Sequence, residues 1–331
     1  MRFGMNNIQD APLPEVIERW RACDQAGLEV IGLPDSPIAR ELYVYSTVCA
    51  LETHRIRVLS AVTNPLTRDP TVTASALLTL EELAPGRVRL GIATGDSGAW
   101  GVGLRPAKVD RLREYILAVR GLLRGEEVEY DGRKLRGSWK RWEPPTDVPV
   151  YVACAGPKTL RMAAEVADGA IVAYGSMTRE TIDDAVRDRD DFDLWWQTSV
   201  TFGSSVEDAM SRSVGVNPSW ISMGSWDGKD VPDDLHEPLR ELTRDIYDLG
   251  AVYKTQNRGE LLVDRARQLG VYDWLVSRAP GIWGSDEDIR RRLRELGAEG
   301  LTNWLFYGGS FYGETLRLVE LLGAELNAGI T

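Results

Sequence analysis

The stretch VLSAVTNPLTRDP, Val58 to Pro70, decides the fold. It opens as an apolar run with the character of a buried strand. It then stops at Thr63-Asn64-Pro65, in hydroxyl and amide side chains rather than a Gly-rich turn. Pro65 ends the strand, because it has no N–H to give to a sheet ladder. Arg68-Asp69-Pro70 launches a helix, with proline suited to its first turn. A buried strand with a polar end, followed at once by a helix, is one βα unit of an α/β fold.

Working outward, the same unit repeats. Strands are expected at Arg2–Asn6, Leu28–Leu33, Ile56–Thr63, Val88–Thr94, Pro149–Ala155, Gly169–Tyr174, Leu194–Phe202 and Thr302–Gly308. Helical periodicity follows most of them, over Pro14–Ala26, Ala39–Glu52, Thr71–Leu83, Ala107–Leu123, Lys158–Ala167, Arg179–Arg189 and Tyr312–Leu326. Glu127–Leu135 reads as a small hairpin with Asp131-Gly132 at its tip. Strand–helix alternation implies parallel strands joined by right-handed crossovers. Eight of them predict a closed (β/α)8 TIM barrel. An open doubly wound sheet is the alternative, but no G-x-G-x-x-G follows the first strand. Residues 204–299, between strands seven and eight, read as a mostly helical insertion over one end of a single domain spanning 1–331.

Length and composition agree with this reading. The chain has 331 residues, 43% hydrophobic and 27% charged, with a net charge of −11. A barrel of this kind takes roughly 250 residues as one unit. A nucleic-acid role would want a basic surface, and the densest basic run, Arg290-Arg291-Arg292, sits among acids as a solvated mixed-charge face. Apolar runs fall well short of the ~20 residues of a membrane span. Cys23, Cys49 and Cys154 have no metal-like spacing and read as small core residues. Their odd, low number and the lack of a signal-peptide pattern suggest a reducing cytoplasm. Two histidines exclude a His-rich metal site, and His54 reads as a surface or capping residue at a helix end.

A TIM barrel carries its chemistry at the C-terminal ends of its strands. Those ends are Asn6-Asn7, Pro34-Asp35-Ser36-Pro37, Thr63-Asn64-Pro65, Thr94-Gly95-Asp96-Ser97-Gly98, Ala155-Gly156-Pro157-Lys158-Thr159, Tyr174-Gly175-Ser176 and Phe306-Tyr307-Gly308-Gly309-Ser310. Asp35 and Asp96 are the obvious acids. With no histidine, no cysteine nucleophile and no carboxylate cluster, the set argues against a metal hydrolase or a two-carboxylate glycosidase. It suits a site in which a bound cofactor does the chemistry and the protein orients it. Gly156 to Thr159 form a candidate phosphate cradle, where a helix start aims free N–H groups outward. An ordinary strand-to-helix turn with proline at its first position explains them as well. Gly95 to Gly98 either let a ligand lie against the backbone or form a loop in which Asp96 caps a helix. Trp100, Trp283, Trp304 and Tyr307 are ring-facing candidates, although an aromatic on a barrel strand is more often core. Trp220, Trp226, Tyr253 and Trp283 suggest an apolar pocket wall, which shielded packing explains equally well.

Taken together, RIRVLSAVTNPLTRDP, LEELAPGRVRLGIATGDS, GLRPAKVDRLREYI, VPVYVACAGPKTLRMAAEVADGAIV and the opening MRFGMNN make the chain resemble the bacterial luciferase-like flavin and deazaflavin oxidoreductases. The resemblance covers about residues 1–203 and 283–325. Within that superfamily the chain looks most similar to the branch of methylenetetrahydromethanopterin reductase. That implies coenzyme F420, a deazaflavin that carries hydride only. It also implies a homodimer and a small organic substrate with a C=C, C=N or C=O group. The luciferase-type branch would imply reduced FMN, molecular oxygen and a separate reductase. A homologue that binds a flavin-like ligand without turnover is a further alternative.

The resemblance also implies a non-prolyl cis peptide in strand three, at Ala61–Val62 or else at Ser60–Ala61, against which the ring leans. Thr63 and Asn64 would then bond the pyrimidine edge or ribityl chain, and Asp35 would face the hydroxylated side of the ring. Gly95, Asp96 and Ser97 would line the ribityl path, and Ala155, Gly156, Pro157, Lys158 and Thr159 would hold the phosphate. Two departures stand out. Ser36 occupies a place where some deazaflavin dehydrogenases put His, and Asn6 and Asn7 fall where the first strand can end in a catalytic Glu. These argue against a sugar-phosphate dehydrogenase and against Glu-based proton delivery. Asp35, Asp96 and Asn6 are left as the candidates for the catalytic step, with an insertion residue or water as the other possible acid.

Overall fold

The computed structural model describes residues 1–6, 11–37, 39–137, 147–213, 221, 225–244, 258–278, 281–307 and 314–330. Its centre is a closed barrel of eight parallel strands. These are β1 (Arg2–Asn6), β2 (Val30–Leu33), β3 (Arg57–Ser60), β4 (Val88–Ile92), β7 (Val150–Cys154), β8 (Gly169–Ala173), β9 (Asp193–Phe202) and β11 (Asn303–Tyr307). They pair in that order, and β11 returns to β1 to close the ring. The hairpin β5 (Glu127–Tyr130) and β6 (Arg133–Arg136) stands apart as a separate antiparallel pair. Its tip, Asp131 and Gly132, has positive φ at both positions, which a two-residue type I′ turn requires.

Outer helices follow the strands: α1 (Leu13–Gln25), α2 (Leu42–Glu52), α3 (Pro70–Leu83), α4 (Ser97–Trp100), α5 (Val109–Leu123), α6 (Pro157–Val166), α7 (Arg179–Val186) and α8 (Val206–Ser211). The start of α3 follows the sequence reading. The Asp69 carboxylate accepts from the Thr71 N–H at 3.0 Å, and Pro70 fills the first turn. Alternation along each strand sorts the core into two sets. Phe3, Met5, Val58, Leu90, Val152, Trp304 and Phe306 face the helices. Val30, Leu59, Ala153, Ile171, Trp195 and Leu305 fill the barrel interior.

Three local expectations are revised. Regular β3 ends at Ser60, and Thr63 rejoins the sheet only as a single bridge to Ile92, so residues 61–62 form a break in strand three. A short extra strand, β10 (Ile282–Gly284), lies parallel to the far end of β9, pairing Ile282 with Val200. It is too short for a period-2 signal. The Arg290–Arg292 run is not simply solvated. Arg290 and Arg294 pair with Glu325, whose side chain is 4% exposed, so the helix Asp286–Ala298 is pinned to the closing helix Thr315–Asn327.

Between β9 and β10 the described helices His236–Thr243, Arg258–Gln268 and Tyr272–Arg278 build an apolar cluster of their own, around Leu239, Leu242, Val263 and Leu275. Trp226 packs within it, stacked on His236 at 4.4 Å with Arg240 over its ring. Trp220 and Tyr253 lie outside the described residues.

Candidate active site

The two mouths of the barrel are built differently. At the N-terminal mouth long charged side chains close the opening. Arg2 pairs with Glu29 and Asp193, and Arg57 pairs with the same Glu29. Asp193 also accepts from Tyr151 Oη at 2.8 Å and Trp195 Nε1 at 3.0 Å. At the C-terminal mouth the interior positions shrink to Gly32, Ala61, Ala93 and Ala173, with Asn6 and Gln197 as polar neighbours. Among the described residues, the mouth lined by small side chains is the one where strand ends carry Asn6, Asp35, Thr63 and Asn64.

Strand three delivers the central feature. The Ala61–Val62 peptide is cis, at the first of the two positions that the resemblance implied. Ala61 and Val62 keep partial exposure. The Ser60 hydroxyl does not face the mouth. It donates to Gly91 O at 2.8 Å and accepts from Gly91 N at 2.9 Å, clamping the break to β4. Gly91 makes this possible, because a Cβ there would stand 2.0 Å from Ser60 O. Gly32 has the same role on the other side, where a Cβ would stand 2.8 Å from both Ala61 Cβ and Asn6 Oδ1.

Thr63 and Asn64 are fully or nearly fully buried and largely occupied by the protein itself. Thr63 Oγ1 donates to Asp35 Oδ2 at 2.6 Å. Asn64 Oδ1 accepts from Leu66 N at 3.0 Å and Thr67 N at 3.1 Å, so it shapes its own turn. The Asn64 amide nitrogen lies against Gly98, 2.9 Å from where a Cβ would stand, and donates in no hydrogen bond among the described residues.

Asp35 is held by a partner that the sequence reading did not assign. Arg68 Nε and Nη2 reach its two oxygens at 3.0 and 2.9 Å, a bidentate fork. The same guanidinium reaches Glu41 at 2.8 Å and lies over the Tyr43 ring. Its bond to Asp35 raises the Arg68 pKa above its already high ordinary value. Arg68 is thus part of the site frame and not only a helix-launching residue. The signal was present as an Arg three residues after Pro65, but the pairing joins two loops and has no sequence spacing.

Gly95 adopts φ +101, a conformation that favours glycine, and Gly98 would carry a Cβ 2.7 Å from Asp35 O. Asp96 and Ser97 begin α4 with partial exposure, but the Asp96 side chain makes no cap bond, so the capping explanation for it fails. At the start of α6, Gly156 is extended, no side chain caps the helix, and Ala155, Gly156, Pro157 and Thr159 are half-buried with Lys158 exposed. The region between β9 and β10 comes down at this point. A Cβ on Gly228 would stand 3.0 Å from Pro157, and Lys229 Cε lies 3.7 Å from the Cβ position of Gly156. Burial pushes the Lys229 ammonium pKa down to about 8, and Lys229 Nζ donates to Ile221 O at 3.1 Å.

Of the ring-facing aromatics, Trp304 turns away. It is wholly buried among Trp196, Tyr174 and Phe306 on the helix side. Tyr307 ends β11 beside Asn6 at the mouth. Trp283 lies on β10 and is 6% exposed, and Trp100 is half-buried in α4. Asn7 lies outside the described residues.

The family model for luciferase-like monooxygenases matches residues 1–303. A 5,10-methylenetetrahydromethanopterin reductase of Archaeoglobus fulgidus is 27% identical, with 98% of each chain covered. An F420-dependent glucose-6-phosphate dehydrogenase of Mycolicibacterium fortuitum is 30% identical over 76% of this chain and 83% of its own. The coenzyme F420 dependent tetrahydromethanopterin reductase of Methanopyrus kandleri superposes with a TM-score of 0.75 at 21% identity, over 100% of this chain and 99% of that one. With a family match over nine-tenths of its length, this chain belongs to the luciferase-like monooxygenase family.

Proposed function

We propose that the protein is a coenzyme F420-dependent oxidoreductase acting on a small organic substrate. The observation that carries this is similarity end to end with a methylenetetrahydromethanopterin reductase, supported by relatives whose names specify F420. Solved monooxygenases of the same fold are 13–14% identical and speak for the fold alone. When bound, the deazaflavin supplies a two-electron hydride donor or acceptor. The chain's own features fit such a group: the small residues at the mouth, the buried Asn6 carbonyl without a partner among the described residues, and the uncapped start of α6.

In this reading Ala61 and Val62 form the wall behind the ring. Ser60, bonded to β4, fixes that wall rather than touching the ligand. Thr63 and Arg68 together bond both oxygens of Asp35 and fix its position, so Asp35 orients a ligand group at the mouth. Asn64 offers its amide donor, and Gly95, Asp96 and Ser97 border the sugar-like chain. Ala155, Gly156, Pro157, Lys158 and Thr159 hold the phosphate through backbone N–H groups and one cation. Residues 204–299 form an insertion within a single domain, and its described helices shield the mouth from water.

The chain is further proposed to act as a cytoplasmic homodimer. Val44, Leu51 and Val72 on α2 and α3 are 67%, 60% and 53% exposed, an apolar face that a second copy would cover. The three buried free thiols suit a reducing compartment. No helix among the described residues is long and apolar enough to cross a membrane.

The test is direct titration of the purified chain with F420 and with FMN, followed by hydride transfer to a panel of acceptors. F420 binding with turnover is expected. Tight FMN binding without F420 binding refutes the proposal, and F420 binding without transfer to any acceptor points to the non-turnover alternative. Light scattering of wild type and Val44→Glu tests the dimer.

A further inference from the structure

One buried polar atom at the mouth has no hydrogen-bond partner among the described residues. Asn6 ends β1 in register with Gly32 and Tyr307 and is 1% exposed. Its Oδ1 is cut off from water and accepts no hydrogen bond among the described residues. A buried acceptor left unmade lowers stability, so its retention asks for a reason. Its surroundings supply one. Asn6 Oδ1 and Ala61 Cβ both lie 2.8 Å from the place where Gly32 would carry a Cβ, so the carbonyl, the bare Gly32 and the residue that opens the cis peptide converge.

The carbonyl is neutral, and an acceptor of this kind takes an N–H or O–H group. A carboxylate in its place would attract a cation or titrate, and the amide does neither. A deazaflavin ring carries an imide N–H on its pyrimidine portion, a neutral donor of the kind this carbonyl lacks. We propose that the Asn6 side-chain carbonyl accepts a hydrogen bond from a ring N–H of bound F420, making Asn6 a cofactor-binding residue of this chain. The inference rests on the F420 reading.

Its signature is a change of opposite sign in two measurements. Asn6→Leu replaces the amide by an apolar group of similar shape. The ligand-free variant should unfold at a higher urea midpoint than wild type, because the orphaned acceptor is gone. Its affinity for F420, read by quenching of the cofactor's fluorescence, should fall about 5-fold, the loss of one neutral hydrogen bond. A purely structural asparagine would instead lose stability and affinity together, and that result overturns the inference. So does an F420 affinity within 1.5-fold (roughly the scatter of one weak contact) of wild type. Should Asn6→Leu fail to fold, Asn6→Val removes the same carbonyl with less bulk and is judged by the same two readings. Wild type that does not bind F420 refutes both the functional reading and this inference. Wild type that binds F420 while a folded variant binds equally well refutes only the role of Asn6.

Discussion

Removing either member of the Asp35–Arg68 pair should loosen the site from two loops at once. The two side chains are 12% and 19% exposed and joined by two bonds of 3.0 and 2.9 Å. Breaking a fully buried pair costs ~3–5 kcal/mol, because one charge is left uncompensated. Here some solvent contact remains, and Glu41 shares the guanidinium. We therefore expect roughly 2–3 kcal/mol for Arg68→Met and somewhat less for Asp35→Asn, which keeps an acceptor for Thr63. The double variant should cost less than the sum of the singles, with a coupling of about 1.5 kcal/mol or more. Urea unfolding of all four proteins measures this. Gly98 rests on the Asp35 carbonyl and Thr63 on its carboxylate, so F420 affinity should fall in both single variants as well. A coupling below ~0.5 kcal/mol, the value of an exposed pair, would refute the claim that this contact frames the site.

Three further outcomes are expected. Gly91→Ala places a Cβ 2.0 Å from Ser60 O, and urea unfolding should show a loss of ~1–3 kcal/mol together with weakened F420 binding; an unchanged midpoint would remove Gly91 from the account. Burial opposes ionisation of Asp24, but the N–H groups of His54, Ile56 and Arg55 outweigh it and hold its pKa below the usual carboxylate value. Its contribution is present above the unfolded pKa near ~3.9 and lost as pH falls further, so urea midpoints between about pH 5 and pH 3 should drop less in Asp24→Asn than in wild type. Lys229 runs the other way. Burial lowers its folded pKa to about 8 against ~10.4 unfolded, so the unfolded chain binds the extra proton and stability should rise with pH across that window; Lys229→Met should flatten the rise.

Much of the architecture was legible in the residues. Strand–helix alternation predicted the barrel because parallel strands buried on both faces read as apolar runs and each needs a crossover helix. The polar ends of those runs located the mouth, since strand ends are where a barrel exposes backbone and side chains to a ligand. Asp131-Gly132 announced a two-residue turn, and Asp69-Pro70 a helix start, because both motifs are satisfied by local geometry.

The tertiary structure decided what each polar residue at the mouth is bonded to. Ser60 and Thr63 lie three residues apart, yet one bonds to Gly91 and the other to Asp35. Arg68 looked like part of a helix start and is the partner of Asp35, 33 positions away. Trp304 was eligible for the site until its side of the sheet was known. Sequence fixes which groups a strand end carries, because composition and period are local. It does not fix which neighbour takes the hydrogen bond, because that depends on how eight strands are staggered and where two loops meet. The orphaned Asn6 carbonyl belongs to the same class. That residue 6 is Asn was plain from the start, but that its oxygen is buried beside Gly32 and Ala61 without a donor among the described residues follows only from the closed barrel.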